Sequence, residues 1–262
     1  MTQDILSVAH DNGVAWVTID RPEVRNAFDD HLIAELTATL RELDGRADVR
    51  AVVLAGAGKH FSAGADLTWM QRMASFGWDD NFADSQALGE LMHTLNTLAQ
   101  PTLARVQGAA VGGGLGLVAC CDIAVASDRA VFALTEVKLG LIPAVIAPYV
   151  VTAIGERAAR RYAVTGERFD AHRAHDLGLV QEVVPEAELD TYLATILDTL
   201  RENGPQAMRG AKRLMRDVAR VPIDAELRRE TARRIADQRA SAEGQEGVAA
   251  FLNKRTPSWR DH

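Results

Sequence analysis

The chain has 262 residues, of which 47% are hydrophobic and 25% charged, a composition typical of a globular protein with a full core. Its formal net charge of -7 argues against a general nucleic-acid binder, because such proteins carry an excess of Lys and Arg. No apolar run approaches the length of a membrane span, and the start, MTQDILSVAHDNG, lacks the pattern of a signal peptide, so a cytoplasmic location is expected.

The first half of the chain alternates short apolar strands with helical segments. Residues 13–20, GVAWVTID, alternate in polarity and are rich in β-branched side chains, which predicts a strand. Apolar side chains then recur at helical spacing over residues 32–43. Residues 49–56 and 101–108 are typical of buried strands, and the segment 67–98 between them is mostly helical.

The second half begins in the same way and ends in helices. Residues 122–127 and 130–134 are strand-like, so the order strand, strand, helix recurs and indicates an α/β class. Beyond Pro185 the strand signals stop, and the following segments are predicted helices: 186–203, 205–220, 224–240 and 244–254. We therefore predict a core over residues 1–195 and a helical region over residues 196–262. The helical region is amphipathic and needs a surface to lie on, for which a partner subunit is one candidate.

Two stretches rich in glycine and other small residues, here called the bare-backbone segments, follow strands and precede helices. One is VQGAAVGGGLGLVACCD, residues 106–122, and the other is FSAGADL, residues 61–67. The first is not a dinucleotide fingerprint, since Leu117 stands where the third glycine belongs in a register that starts at Gly112. At such turns unpaired N–H groups point outward, and two donors that converge on one point form an oxyanion hole.

Six segments, in order, resemble the enoyl-CoA hydratase/isomerase (crotonase) superfamily over nearly the whole chain. They are RPEVRNAF, FSAGADL, GAAVGGGLGLVACCDIAVAS, FALTEVKLGLIP, AHRAHDLGLVQEVVP and EGQEGVAAFLNKRTPSW. The resemblance implies an α/β fold, namely a spiral of ββα units with a C-terminal helical trimerisation region. It also implies assembly into a homotrimer or homohexamer.

The resemblance implies a role for three groups in catalysis. It places the two oxyanion donors at the backbone N–H groups of Ala65 and Gly113, which would bind a thioester oxygen as it becomes an enolate. Glu136 matches one of the two glutamates that hold water in the hydratases of this family. Gly116 stands where the second glutamate belongs, and this departure puts the two-carboxylate mechanism in doubt.

Within the family, the stretches SAGADLTWM and EVKLGLIPAVIAPYVV are most similar to methylglutaconyl-CoA hydratases. Their substrate carries its own carboxylate near the β-carbon, and two carboxylates close together in a dry pocket repel each other. This suggests the hypothesis that Gly116 omits the enzyme's second carboxylate so that the substrate's own can enter. Gly116→Glu is then expected to favour crotonyl-CoA over methylglutaconyl-CoA.

The resemblance also implies a set of substrate-binding residues. Coenzyme A belongs to the substrate, so no separate cofactor is expected, and the adjacent Cys120 and Cys121 cannot supply the spacing of a metal site. Trp69 and Met70 either line the acyl pocket or pack in the core. The residues implied to contact the acyl-CoA, besides the Gly113 donor and Gly116, are Val24, Arg25, Ala63, Ala65, Asp66, Leu67, Thr68, Phe251 and Lys254.

Hydration of an α,β-unsaturated acyl-CoA is the leading functional hypothesis. The expected reaction converts 3-methylglutaconyl-CoA to 3-hydroxy-3-methylglutaryl-CoA, or the reverse, with a single Glu. Two alternatives stay open: a Δ3,Δ2-enoyl-CoA isomerase that uses the same oxyanion hole, and a non-catalytic acyl-CoA-binding or RNA-binding scaffold. Binding to membranes or nucleic acid is not expected.

Overall fold

The computed structural model describes residues 5–260. Residues 1–4 and 261–262 lie outside the described part, and residues 1–4 belong to the stretch predicted not to be a signal peptide. The strands of the described part are β1 (Leu6–Asp11), β2 (Val14–Ile19), β3 (Ala51–Gly56), β4 (Thr102–Val106), β5 (Ala109–Val111), β6 (Ile123–Ser127), β7 (Val131–Ala133), β8 (Arg168–Asp170) and β9 (Glu182–Val184). The helices are α1 (Asp30–Leu43), α2 (Leu67–Met73), α3 (Trp78–Thr97), α4 (Gly113–Cys120), α5 (Ala147–Ile154), α6 (Glu156–Thr165), α7 (Ala171–Leu177), α8 (Leu189–Glu202), α9 (Pro205–Val218), α10 (Ala225–Ala240) and α11 (Ala242–Leu252).

The described strands form two sheets. The six-stranded sheet has the order β1-β2-β3-β4-β6-β9 and is parallel except for the β1–β2 hairpin. The three-stranded sheet has the order β5-β7-β8. A strand of the large sheet is followed by one of the small sheet and then by a helix, as in β4-β5-α4 and β6-β7-α5. The predicted recurrence of ββα units is therefore confirmed.

The large sheet is buried on both faces, which explains the continuous apolar sequence of β3. Val52 and Leu54 face a core that also contains side chains of α1, α3 and α4. Ala51 and Val53 point to the other face, where they join a second apolar cluster. A parallel strand covered on both faces has no polar side to alternate with, so AVVLAG is buried at every position.

Helix α8 closes the second face of the large sheet. Its buried side chains are Leu189, Leu193 and Leu197, spaced by one helical turn, and they belong to the same cluster as Val53. The predicted boundary between residues 195 and 196 thus falls inside a helix that packs on the core. The change in packing comes after α8, because α9 and α10 contain no buried residue.

The C-terminal helices are fastened to the core by polar contacts. Lys212 on α9 forms an ion pair with Asp122 at 2.6 Å, and the Arg209 guanidinium donates a hydrogen bond to the Arg46 carbonyl at 2.6 Å. Large apolar side chains of this region are exposed: Met215, Ile223, Ile235, Val248, Phe251 and Leu252. Across residues 5–260, every helix is too short or too polar to traverse a lipid bilayer.

Candidate active site

A short parallel ladder joins the two bare-backbone segments predicted to form the site. Ser62 and Ala110 form an isolated parallel bridge. The Ser62 N–H donates to the Ala109 carbonyl at 3.0 Å, and the Val111 N–H donates to the Ser62 carbonyl at 3.0 Å. These bonds join main-chain atoms and fix the spacing of the two segments.

The register of this ladder brings the two predicted oxyanion donors together. Ala65 lies three residues beyond Ser62, and Gly113 lies three residues beyond Ala110, so the register sets them opposite each other. The segments are still close just before that point, since a Cβ added to Gly64 would lie 3.1 Å from the carbonyl oxygen of Val111. Both residues line one cavity.

Both donors are unpaired within the part of the chain that the structure describes. Gly113 is the first residue of α4, where a helix offers no acceptor for the N–H group. Around Ala65, the Phe28 N–H donates to the Gly64 carbonyl and the Asp66 N–H donates to the Phe28 carbonyl, each at 2.7 Å. In a parallel bridge the N–H and C=O of the residue between these two contacts point away from the bridging partner. The Ala65 N–H is therefore directed away from Phe28.

Gly112 sets the approach of Glu136 to this site. Its φ of +54° lies in the left-handed region that favours glycine. A Cβ at Gly112 would lie 3.1 Å from the Oε1 atom of Glu136. The carboxylate of Glu136 is consequently packed against the turn that carries the Gly113 donor.

Glu136 is held where its charge is poorly solvated. It begins a 3₁₀ turn, Glu136–Leu139, which is separated from β7 of the small sheet by Leu134 and Thr135. Its Oε2 atom is buried and accepts no hydrogen bond from residues 5–260. Burial raises the pKa of the Glu136 carboxyl above its ordinary value. A carboxyl group with a raised pKa beside an oxyanion hole is suited to accept and return a proton.

The cavity next to these groups has a volume of about 910 Å³, within the range of small-molecule sites. One wall is formed by the oxyanion turns and by α2 and α3, and the other by the segment that runs from Thr135 to Ile146. Its lining is mostly apolar. Trp69 both lines this cavity and is buried, so the two interpretations left open from the sequence hold together.

The Asp66 side chain has a structural role, and its contact with the substrate stays a prediction. Its Oδ1 atom accepts the N–H groups of Thr68 at 2.8 Å and Trp69 at 3.2 Å, which caps α2. Its Oδ2 atom pairs with Arg21 at 3.3 Å. Asp66 and Thr68 are not among the described residues that line the cavity, whereas the exposed Leu67 is. The Asp66 side chain therefore positions the neighbouring Ala65 N–H.

The structure places Ile146 where the hypothesis expects free space beside Gly116, and a role of Gly116 toward the substrate's carboxylate stays a prediction. A Cβ at Gly116 would lie 2.3 Å from Cγ2 of Ile146 and 3.3 Å from Cε of Met92. Ile146 therefore fills the space that a longer side chain at position 116 would need. Gly116 is buried and is not among the described residues of the cavity lining.

The residues predicted to bind coenzyme A fall into two groups. Ala63 lines the cavity and donates its N–H to the Arg25 carbonyl at 3.0 Å, so the turn that contains the half-buried Val24 and the exposed Arg25 lies beside the site. Phe251 and Lys254 are exposed at the end of α11 and do not line the described cavity. Their contact with the substrate stays a prediction.

Sequence reasoning missed a second carboxylate in the cavity. Asp84 on α3 lines it, and its Oδ1 atom accepts a hydrogen bond from Trp69 Nε1 at 3.2 Å. Burial raises the pKa of Asp84, and the Trp69 hydrogen bond opposes that shift. The only signal in the sequence was the helical spacing that places Asp84 on one face of α3 with Leu88. Across residues 5–260, no cluster of three or more His, Cys, Asp or Glu side chains could hold a metal ion.

Two N–H groups in register beside a partly buried carboxyl group, in an apolar cavity, form an arrangement suited to stabilising an enolate formed from a carbonyl compound. The chain belongs to the enoyl-CoA hydratase/isomerase family, whose model matches residues 9–262. Its class is therefore that of the enoyl-CoA hydratase-type lyases, which act on acyl-CoA thioesters.

Known proteins agree with this assignment along the whole chain. An enoyl-CoA hydratase of Shewanella pealeana is 44% identical, with a TM-score of 0.95 over 98% of this chain and 97% of that one. An enoyl-CoA hydratase/isomerase of Marinobacter aquaeolei is 36% identical, with a TM-score of 0.93 over 98% of this chain and 100% of that one. A 2,3-dehydroadipyl-CoA hydratase of Escherichia coli is 30% identical over 97% of this chain and 98% of that protein. The crotonase-like fold implied by the sequence is confirmed.

Proposed function

We propose that the chain hydrates 3-methylglutaconyl-CoA to 3-hydroxy-3-methylglutaryl-CoA, reversibly, as a step of leucine degradation or of related isoprenoid breakdown. The observation that carries the hydration chemistry is the pair of unpaired N–H donors in register beside Glu136. Support for an acyl chain with a second carboxyl group comes from the resemblance to methylglutaconyl-CoA hydratases. A further relative is named for the CoA thioester of another dicarboxylic acid.

The proposed reaction needs one carboxylate and two backbone donors. The thioester oxygen lies between the N–H groups of Ala65 and Gly113, which withdraw electrons from the β-carbon. Ionised Glu136 takes a proton from water while the water oxygen bonds to the β-carbon. The thioester then becomes an enolate. The protonated Glu136 then delivers the proton to the α-carbon, which restores both the thioester and the carboxylate. Each backbone donor typically contributes about 2.7–4 kcal/mol of transition-state stabilisation.

The proposal extends to the assembly and to the nucleotide end of the substrate. Arg25, exposed beside the cavity, pairs with a phosphate of coenzyme A. Phe251 and Lys254 contact the nucleotide from the C-terminal region in a homotrimer or homohexamer, which also covers the exposed apolar side chains of that region. Coenzyme A arrives and leaves with the acyl group, so no separate cofactor takes part.

Isomerisation is the second candidate because, among the described residues, Glu136 is the one carboxylate beside the proposed oxyanion hole, and Ile146 fills the space at Gly116. Moving a double bond from the 3,4 to the 2,3 position transfers one proton between carbons and requires no water. Glu136 could take that proton and return it at the other carbon.

The ultraviolet absorbance of the conjugated enoyl thioester separates these candidates. Loss of the band from methylglutaconyl-CoA indicates hydration, and its appearance from a 3-enoyl-CoA indicates isomerisation. An unchanged spectrum with both substrates would contradict both enzyme functions and would favour a non-catalytic binding scaffold. We expect the highest kcat/KM for methylglutaconyl-CoA in a panel that includes isohexenylglutaconyl-CoA and crotonyl-CoA.

A further inference from the structure

One face of α3 gives the cavity a polar strip. The lining residues of this helix are Asn81, Asp84, Ser85 and Leu88, whose spacing of three, four and seven residues places them on one side of the helix. Three of the four are polar, whereas the rest of the lining is mostly apolar. A polar strip in an apolar acyl pocket fixes the orientation of a ligand that carries a matching polar group.

Asp84 is the anchored member of this strip. Trp69, which is buried, donates its indole N–H to Oδ1 of Asp84 at 3.2 Å and so fixes the carboxyl group. No residue in the described range 5–260 donates a hydrogen bond to its Oδ2 atom. One oxygen of Asp84 is thus held by the protein, and the other is available to a ligand.

The charges around Asp84 are mostly negative. Among the described residues of the lining, Asp84 and Glu136 are ionisable acids, and none is Lys, Arg or His. On the neighbouring helices, Arg72 of α2 is paired with Asp30 of α1 at 2.5 Å, and Asp80 lies one turn earlier on α3 itself. A carboxylate on the acyl chain would therefore meet another carboxylate in this cavity.

Asp84 does not substitute for the glutamate that is missing at position 116. The α3 residue that reaches Gly116 is Met92, with its Cε atom 3.3 Å from an added Cβ. Met92 lies eight residues beyond Asp84, about 12 Å along the helix at 1.5 Å per residue. Asp84 acts on a different part of the ligand from the carbons beside the oxyanion hole.

We propose that Asp84, held by Trp69, is the specificity residue that binds the free carboxyl group of the acyl chain, with one proton shared between the two carboxyl groups. This inference rests on the proposed dicarboxylic acyl substrate. Two carboxyl groups at hydrogen-bond distance cannot both stay ionised, so one retains a proton and donates it to the other. The raised pKa of Asp84 lowers the cost of that protonation.

Proton uptake gives this site a defined pH dependence. At a pH where the carboxyl groups of Asp84 and of the unbound acyl-CoA are both ionised, binding takes up one proton, which the two groups share in the complex. Affinity for a dicarboxylic acyl-CoA then falls as pH rises, by up to about tenfold per pH unit. An acyl-CoA without the second carboxyl group takes up no such proton, so its affinity does not follow this slope.

Glutaryl-CoA and butyryl-CoA form a matched pair of unreactive probes, because they differ only by one carboxyl group. We expect the binding preference of the wild type for glutaryl-CoA, measured by inhibition or calorimetry, to fall at least tenfold between about pH 6 and about pH 8. In Asp84→Asn an amide donates to the carboxylate without repelling it, so the preference at the higher pH increases and the pH dependence disappears. Asp84→Leu removes the preference at both pH values.

Asp80→Asn is the control, because it removes a carboxylate one turn away that does not line the cavity; its binding matches the wild type. A glutaryl-to-butyryl ratio that is the same in wild type, Asp84→Asn and Asp84→Leu would overturn the inference. A wild-type preference for butyryl-CoA at both pH values, reversed by Asp84→Asn, would overturn it too, since Asp84 would then exclude acids. Turnover of methylglutaconyl-CoA tests the proposed function separately: its absence refutes that substrate, while the binding pattern still supports the carboxyl site.

Discussion

Glu136 combines a cost to the fold with its use in the reaction. Its carboxylate is partly buried and faces backbone, so ionisation is opposed by desolvation, as the raised pKa records. The hydration mechanism requires the ionised form. The proposed reaction therefore uses the charged form of a group in a place that disfavours charge.

Glu136→Gln separates the two effects. The amide cannot accept the proton of water, so we expect hydration of crotonyl-CoA or methylglutaconyl-CoA, followed by the loss of enoyl absorbance, to slow by about 10²–10⁴-fold. Glu188→Gln, at an exposed position outside the cavity, serves as the control and keeps wild-type activity. A Glu136→Gln enzyme within about threefold of the wild type would exclude Glu136 as the acid/base.

The same variant has a predictable stability profile. A carboxyl group whose pKa is raised in the folded state contributes stability that is present below its ordinary pKa of 4.5 and is lost as pH rises through the folded value. Glu136→Gln removes the charge that causes this loss. The variant's gain in free energy of unfolding over the wild type should grow from about pH 4 to about pH 8, as measured by urea titration. A constant difference over that range would contradict the burial argument.

Gly116 and Ile146 are packed so closely that substitutions at the two positions should influence each other. A Cβ at position 116 meets the Ile146 side chain at 2.3 Å, so Gly116→Ala overpacks the core and should cost about 1–3 kcal/mol of unfolding free energy. Ile146→Ala relieves part of this contact. We expect the cost of the double variant, from urea unfolding, to be at least about 1 kcal/mol below the sum of the single costs. Strict additivity would show that the two positions are independent.

Two helix starts are joined by one arginine. The Arg21 guanidinium pairs with Asp29 at 2.9 Å and with Asp66 at 3.3 Å, and these two aspartates cap α1 and α2. The pairs are mostly buried, which makes them costly to break from one side. Since Asp66 follows Ala65, this connection ties the direction of the Ala65 N–H to the start of two helices.

Substitutions at Asp66 resolve the contributions of the cap and the ion pair. Asp66→Asn keeps an oxygen for the Thr68 and Trp69 N–H groups and loses only the charge, whereas Asp66→Ala loses both. We expect Asp66→Ala to be less stable than Asp66→Asn by about 1 kcal/mol, and to lower kcat more than it changes KM. Asp170→Ala, which removes the N-terminal cap of α7 away from the cavity, is the control for loss of stability without loss of kcat. Equal kcat in Asp66→Ala and wild type would contradict the positioning role.

The sequence predicted most elements, and those it missed have a physical explanation. Residues 13–20, 49–56 and 101–108 form strands as expected, because burial imposes a pattern on each. Strands β5, β8 and β9 have three residues each, too short for any period to appear. Strand β1 is exposed at every position after Leu6, so its sequence carries no apolar alternation. The helical stretch over 67–98 is interrupted before Trp78, between α2 and α3.

Within the site, sequence spacing identified the groups that belong to contiguous motifs. The meaning of Gly116 could not be inferred in this way, because Ile146, which fills its space, lies 30 positions further along the chain. Asp84 was overlooked for a similar reason. On a helix with few buried residues, one carboxylate looks like any solvated side chain until the Trp69 indole is found beside it.

For the molecule as a whole, the exposed apolar side chains of the C-terminal region favour the proposed assembly with further subunits. Ile223 is 85% exposed and Phe251 82%, in a region where α9 and α10 bury no residue within the described chain. We expect light scattering to give three or six times the chain mass. Ile223→Asp should shift this mass downward, while Glu226→Ala, at an exposed polar position nearby, should not. A monomeric wild type would contradict the predicted assembly.

The ladder between Ser62 and Ala110 also separates what is fixed in this enzyme from what can be redesigned. Main-chain amides have the same chemistry in every amino acid, so the two proposed donors depend on the path of the backbone, for which Gly64 and Gly112 adopt left-handed φ values, and not on side-chain chemistry. The choice of reaction then belongs to a few replaceable side chains around it, among them Glu136, Ile146 and Asp84. A redesign for a new thioester reaction would keep the backbone N–H groups of Ala65 and Gly113 and vary the side chains at these three positions.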